Sequence, residues 1–124
     1  ISILTNFLKY KEPIYVYGAP KIAFEILKHR ITNFHKERIK KKIKMYHIYN
    51  FEATSRIKTL QKMPYTPIKV LPELFDTQVT TMICGDETTF TIWNPPIKVM
   101  QIVDEEMSKA YIKYFQILWK QAKI

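Results

Sequence analysis

Apolar residues change their spacing several times along the chain, and each change marks an element. Ile3, Leu4, Phe7 and Leu8 share one helical face, which Glu12-Pro13 interrupts. Ile14-Tyr15-Val16-Tyr17 has the β-branched and aromatic texture of a strand, and Gly18-Ala19-Pro20 closes it. From Pro20 to about Lys41 the period becomes helical. Pro20 stands near the first helical position, where a missing N–H costs nothing, and Ala23, Phe24, Leu27, Ile31 and Phe34 fall in one stripe about 100° wide. Ile43 to Tyr49 is apolar on both faces apart from Lys44, as in a central strand. Strand, helix, strand in this order predicts a parallel βαβ unit with a right-handed crossover.

Phe51 to Met63 reads as a short helix with Ala53, Ile57 and Leu60 inward, ended by Pro64. The texture then turns to β in Ile68–Leu71, Val79–Cys84, Thr88–Trp93 and Ile97–Val103. Gly85-Asp86-Glu87 and Asn94-Pro95-Pro96 separate the last three runs as turns, which predicts an antiparallel meander. A last helix starts after Asp104, an N-cap type followed by Glu105 and Glu106, and carries Met107, Ala110, Tyr111, Tyr114, Phe115 and Leu118 on one face. These elements predict an α/β layer fold, a mixed sheet of about six strands with helices packed on it.

Composition agrees with one folded domain, since 47% of the 124 residues are hydrophobic, enough for a core without disulfides or a structural metal. The net charge is +9, but Lys28, Arg30, Lys36, Arg38, Lys40, Lys41, Lys42 and Lys44 against Glu37 concentrate +7 of it in one helix and its exit. Cys84 stands alone, and no apolar run reaches the length of a membrane span, so a reducing, cytoplasmic setting is expected. The first residue is Ile, from which we expect a chain that continues upstream.

Several chemistries lack their parts. His29 and His35 lie about 120° apart around a helix, His47 is on a strand and Cys84 has no cysteine partner, so neither metal nor cofactor is expected. Two glycines 67 positions apart cannot build a phosphate loop. A hydrolase using Cys84 or His47 is conceivable, although a lone strand cysteine is more simply a buried thiol. The aromatics fall on inward positions without the basic interleaving of base-stacking surfaces. Tyr15, Tyr17, Tyr46 and Tyr49 could still line a polar ligand.

Arg38 is the exception, because it shares the azimuth of Leu27, Ile31 and Phe34 and so points inward although charged. Either it pairs with Glu52 or Asp86 or extends past the core, or it contacts a ligand at the carboxyl edge of the sheet. His35, Arg38, Asn50, Arg56 and Asp86 are the candidate ligand residues, with Asn50 also readable as a helix cap. Lys36, Lys40, Lys41, Lys42 and Lys44 would serve a nucleic-acid surface. Helix-end charge complementarity explains the same lysines, and only three of the 20 basic residues are Arg, the better phosphate fork.

An ordered series of segments carries a wider resemblance: Ile14-Tyr15-Val16-Tyr17-Gly18-Ala19-Pro20-Lys21, Phe34-His35-Lys36-Glu37-Arg38-Ile39-Lys40-Lys41, Ile48-Tyr49-Asn50, Val70-Leu71-Pro72-Glu73, Gly85-Asp86, Ile92-Trp93 and Tyr114 to Lys120. Over most of its length the chain resembles the C-terminal domain of archaeal regulators related to the TrmB family of transcriptional regulators. The resemblance implies one half of a phospholipase-D-like fold used for homodimerisation and effector sensing, with DNA bound by a winged helix-turn-helix domain outside this chain. Residues 1–12 would be the end of a linker helix and 13–124 the sensing domain. Relatives tend to have Gly where Lys42 stands, which implies a left-handed backbone there.

Phospholipase-D-like catalysts need His, Lys two positions later and Asp five after that. With Asp86 as the acid, the other two positions hold Val79 and Thr81, and the Gly-Ser pair falls on Trp93-Asn94. The expectation is therefore a non-enzymatic dimerisation and effector domain, the alternative a freestanding basic nucleic-acid-binding module.

Overall fold

The computed structural model describes residues 7–49, 54–71 and 77–123. After a single 3-10 turn at Phe7–Tyr10 come β1 (Ile14–Tyr17), α1 (Lys21–Lys40), β2 (Met45–Tyr49), α2 (Thr54–Gln61) and β3 (Ile68–Val70). They are followed by β4 (Val79–Cys84), β5 (Glu87–Ile92), β6 (Lys98–Val103) and α3 (Glu105–Gln121). The strands form one six-stranded sheet in the order β3-β2-β1-β4-β5-β6. β1, β2 and β3 run parallel, as short crossovers through α1 and α2 demand, and β4, β5 and β6 form the expected meander. β1 joins the halves by pairing antiparallel with β4. The predicted mixed sheet is thus present.

The two-residue period of the strands sorts side chains onto two faces. On one, Phe34 of α1 meets Val16, Met45 and Met82, with Phe7 and Leu8 in the same cluster, while Ile57 and Leu60 of α2 pack on Tyr49 and Ile68. On the other, α3 alone covers Ile48 and Ile83 with Phe115, joined by Tyr15, Tyr17, Tyr46, Tyr111 and Trp119. Gly18, at φ +83°, allows the chain to leave β1 against β4, because a Cβ there would lie 2.4 Å from the Val79 carbonyl oxygen.

The helix ends follow local chemistry. Asp104 caps α3 by accepting a hydrogen bond from the Met107 N–H at 2.9 Å. At the end of α1, Ile43 N–H donates to the Arg38 carbonyl and Lys42 N–H to that of Ile39, a Schellman pair in which Lys42 takes the usual glycine position at φ +59°. That is the conformation expected there.

Four expectations need correction. The inward stripe of α3 is Ser108, Tyr111, Ile112, Phe115, Leu118 and Trp119, not one containing Tyr114, which is 53% exposed. The rotation follows from Ser108, whose hydroxyl donates to the Gly85 carbonyl, and from ring contacts of Tyr111 and Phe115 with strand aromatics. Glu87 belongs to β5 and not to a turn; its buried carboxylate accepts from Tyr10, Thr89 and Gln101. The described part of the expected linker helix is the 3-10 turn, whose Phe7 and Leu8 are core residues. Arg38 does not pair with Asp86. The helical reading of Ile3 to Asn6, and Ala53, lie outside the described residues.

Candidate functional site

α1 does not close onto the sheet along its whole length. Ala23 near its start and Phe34, His35 and Arg38 near its end are buried, whereas Leu27 and Ile31 between them are half-buried. Beneath that middle stretch lies a cavity of about 60 Å3, floored by Val16, Met45, His47, Tyr49, Thr80, Met82 and Trp93. Its lining is mostly apolar. Trp93 is held on the floor by its indole N–H, which donates to Thr80 Oγ1 at 2.8 Å.

His35 and His47 face each other at the closed end, with ring centroids 6.0 Å apart, and His47 also stacks on Tyr49. Burial, with the positive charges of Arg38 and Arg56 nearby, pushes His35 down to about 3. Burial likewise holds His47 well below the ordinary imidazole range. Both rings are therefore neutral at pH 7. His35 Nδ1 accepts the Arg38 Nε–H at 3.2 Å, and His47 Nδ1 lies 3.2 Å from the Met45 carbonyl, which suits a protonated Nδ1 as donor.

Arg38 is fully buried and its hydrogen bonds go inward. Besides His35, it donates through Nη1 to the carbonyls of Ile43 (2.8 Å) and Tyr65 (2.6 Å), and through Nη2 to Thr66 Oγ1 (2.6 Å). Burial lowers it to about 10, still cationic at neutral pH. The guanidinium ties the end of α1 to the α2–β3 connection. There it supports Tyr65, whose φ of +56° is a left-handed conformation that a bulky residue adopts only when its surroundings hold it. Arg38 thus acts as a clamp between α1 and the α2–β3 connection.

Arg56 stands at the open side. Its guanidinium lies 5.0 Å from the Phe24 ring centroid, and its Nε is buried without a hydrogen-bond partner. It borders both the cavity and a groove of about 420 Å3 between α1 and α2, which Lys21, Glu25, Lys28, Thr32, Ser55 and Thr59 also line.

The structure places His35 and Arg56 on the lining of this cavity, Arg38 behind His35 and off the lining, and Asp86 elsewhere. Asp86 is exposed in the β4–β5 turn and lines another cleft, with Tyr10, Glu12, Glu105 and Lys109. Asn50 and Glu52 lie outside the described residues. Sequence reasoning missed Tyr49 and Phe24 as partners of Arg56, although the stripe of α1 already contained Phe24. Lys36, Lys40, Lys41, Lys42 and Lys44 are all exposed, and among the described residues the only ion pair is Lys109 with Glu105. Val79 is half-buried and Thr81 buried, both on β4. Cys84 is buried, its thiol pushed up to about 12, and 3.5 Å from the carbonyls of Phe7 and Glu12. Among the described residues there is no cluster of metal-ligating side chains, and no helix long and apolar enough to cross a membrane.

The fold defines an α/β domain with a half-parallel, half-antiparallel sheet, and that architecture recurs in a solved structure. The chain superposes on TrmBL2, described as an archaeal chromatin protein with a novel mode of DNA binding, at a TM-score of 0.67 and 13% identity. The match covers 98% of this chain and 48% of TrmBL2, so the chain spans about half the length of that protein. At this identity the likeness is one of fold. No protein-family model and no curated protein sequence matches the chain.

Proposed function

We propose that the chain is the dimerisation and effector-sensing domain of a TrmB-related archaeal transcriptional regulator, a cytoplasmic homodimer whose DNA contacts come chiefly from a domain outside this chain. The observation that carries the reading is the shared fold with TrmBL2, over nearly all of this chain and about half of that one. A bare apolar edge supports the dimer: among the described residues β6 has no outer neighbour in the sheet, and Val99, Met100 and Val103 on it and Ile117 on α3 are 42%, 52%, 65% and 58% exposed. A strand edge of this kind pairs with its own copy about a twofold axis. Sedimentation velocity tests the reading. The wild type should sediment as a dimer and Val103→Lys as a folded monomer; a wild-type monomer at high concentration would refute it.

The domain works without catalysis of its own in this reading. The phospholipase-D-like positions for nucleophile and cation hold Val79 and Thr81, so incubation with a phosphodiester should yield no hydrolysis. A second reading, a basic nucleic-acid-binding module, draws support from the exposed Lys36, Lys40, Lys41, Lys42 and Lys44 and from the description of TrmBL2 as DNA-binding. If those five lysines contact phosphates, log K should fall against log salt with a slope of about −4.5.

A further inference from the structure

We propose that the cleft beneath α1 binds a short aliphatic carboxylate, whose carbon body enters the apolar cavity and whose anionic end is held by Arg56 where the α1–α2 groove opens. This deepens the effector-sensing part of the reading above by naming a site and a ligand class.

Size and lining select the body. The cavity volume of about 60 Å3 is that of roughly two liquid waters and less than half of the ~150 Å3 that takes up benzene. A branched end of about three carbons, an isopropyl group, suits it better than an aromatic ring. Val16, Leu27, Ile31, Met45 and Met82 present hydrocarbon and thioether surface to it. Water gains little there, since an ordered water needs two to four polar partners.

Charge selects the other end. Among the described residues, Lys21, Lys28 and Arg56 line the adjoining groove against one acid, Glu25, and none of the four forms an ion pair. Phe24, Ile31 and Arg56 border both compartments, so one small molecule can occupy the apolar one and reach the cationic one. Arg56 is the natural contact. Its Nε is a buried donor without an acceptor, an arrangement that costs free energy until an acceptor arrives, and a carboxylate supplies two oxygens in the matching plane. A cation is opposed by Arg56 and by Arg38 behind His35, and the neutral His35 and His47 offer it no compensating charge.

Titration calorimetry and two-dimensional NMR on the whole chain test this with three isosteric probes: 3-methylbutanoate, 3-methylbutan-1-ol and 3-methylbutylamine. The carboxylate should bind in the millimolar range or tighter, shifting amide signals of α1, β2 and α2, and the alcohol and amine at least about tenfold more weakly. Arg56→Gln, on the half-exposed face of α2, should weaken carboxylate binding by about tenfold or more and leave the fold intact. Leu27→Trp, which fills the cavity but keeps Arg56, should weaken it comparably. Equal binding of the alcohol, unchanged affinity in Arg56→Gln, or no shifts with the carboxylate at about 10 mM, a concentration that detects even a weak site, would each overturn the proposal. Carboxylate binding that leaves the sedimentation profile unchanged would support the site and remove its role in dimer geometry. An absence of binding would remove the site and leave dimerisation to the Val103→Lys test.

Discussion

The two faces of the sheet are covered by helices of similar length, and they are finished differently. α3 meets its face with rings: Phe115 lies edge-on to Tyr15 and stacks on Trp119, which meets Tyr46, so rings bridge helix and strands. α1 meets its face with one phenylalanine, a histidine and an arginine near its end, and leaves a cavity under its middle. The difference lies in what fixes each helix. α3 is held mainly by packed rings from Tyr111 to Trp119, with Ser108 bonded to the Gly85 carbonyl near its start, whereas α1 is fixed at its ends, most firmly by the Arg38 clamp, so its centre need not touch the sheet. Directional bonds near the end of a helix hold it in place without requiring contact along its middle.

The largest test of this contrast sets Phe115→Ala beside Leu27→Ala. Removing a fully buried ring from the filled face should cost about 3–5 kcal/mol, while Leu27→Ala, beside space that already exists, should cost about 1 kcal/mol. Urea unfolding would measure both, and equal losses would abolish the distinction between the faces. Next is the clamp. Arg38→Met keeps much of the volume but removes four hydrogen bonds together, leaving the Ile43 carbonyl and His35 Nδ1 without their donor while Tyr65 and Thr66 keep bonds to the Met45 N–H and the Pro64 carbonyl, and should cost about 3 kcal/mol. Arg38→Lys should recover only part, since one ammonium cannot reach the same spread of acceptors.

Acid should act on the α1 face first. His35 and His47 are depressed in the folded chain, so their contribution is complete above the ordinary histidine pKa near 6.5 and is lost as pH falls below it, for His35 down to about 3. Each should remove about 1.4 kcal/mol per pH unit in that window. Denaturation midpoints between pH 7 and 4 should show this slope, and His35→Gln, which keeps an acceptor for Arg38, should reduce it. The smallest effect is at Lys42. Lys42→Gly relieves a left-handed side chain that costs about 1–2 kcal/mol and adds chain entropy to the unfolded state, so a gain of up to about 1 kcal/mol is expected in thermal unfolding.

Much of this contrast was legible in the sequence. The order and approximate positions of the strands, the Asp104 cap, the inward azimuth of Arg38 and the left-handed Lys42 all follow from periodicity, local side-chain chemistry or the resemblance, which act over a few residues. What Arg38 touches did not follow, because Tyr65 and Thr66 come from a connection 27 and 28 positions away whose approach depends on how α2 lies on the sheet. The exposure of Tyr114 was hidden for a related reason: a helix stripe can be rotated by one residue to suit the rings facing it. Asp86 was grouped with the ligand residues, yet it lies in the meander, where its cleft is shared with Tyr10 and α3. The cavity was invisible, since a missing contact leaves no mark on hydrophobic spacing.

The seam between β1 and β4 has a consequence for how the domain forms. Tyr15 pairs with Ile83, 68 positions further along, whereas the meander strands meet across short turns and β1 meets β2 across one helix. Loop closure costs more for the longer separation, and contacts of this kind slow folding. The two halves of the sheet should therefore gain structure before the seam closes. If closing the seam is the slow step, substitutions at Tyr15 or Ile83 should slow folding as well as speed unfolding.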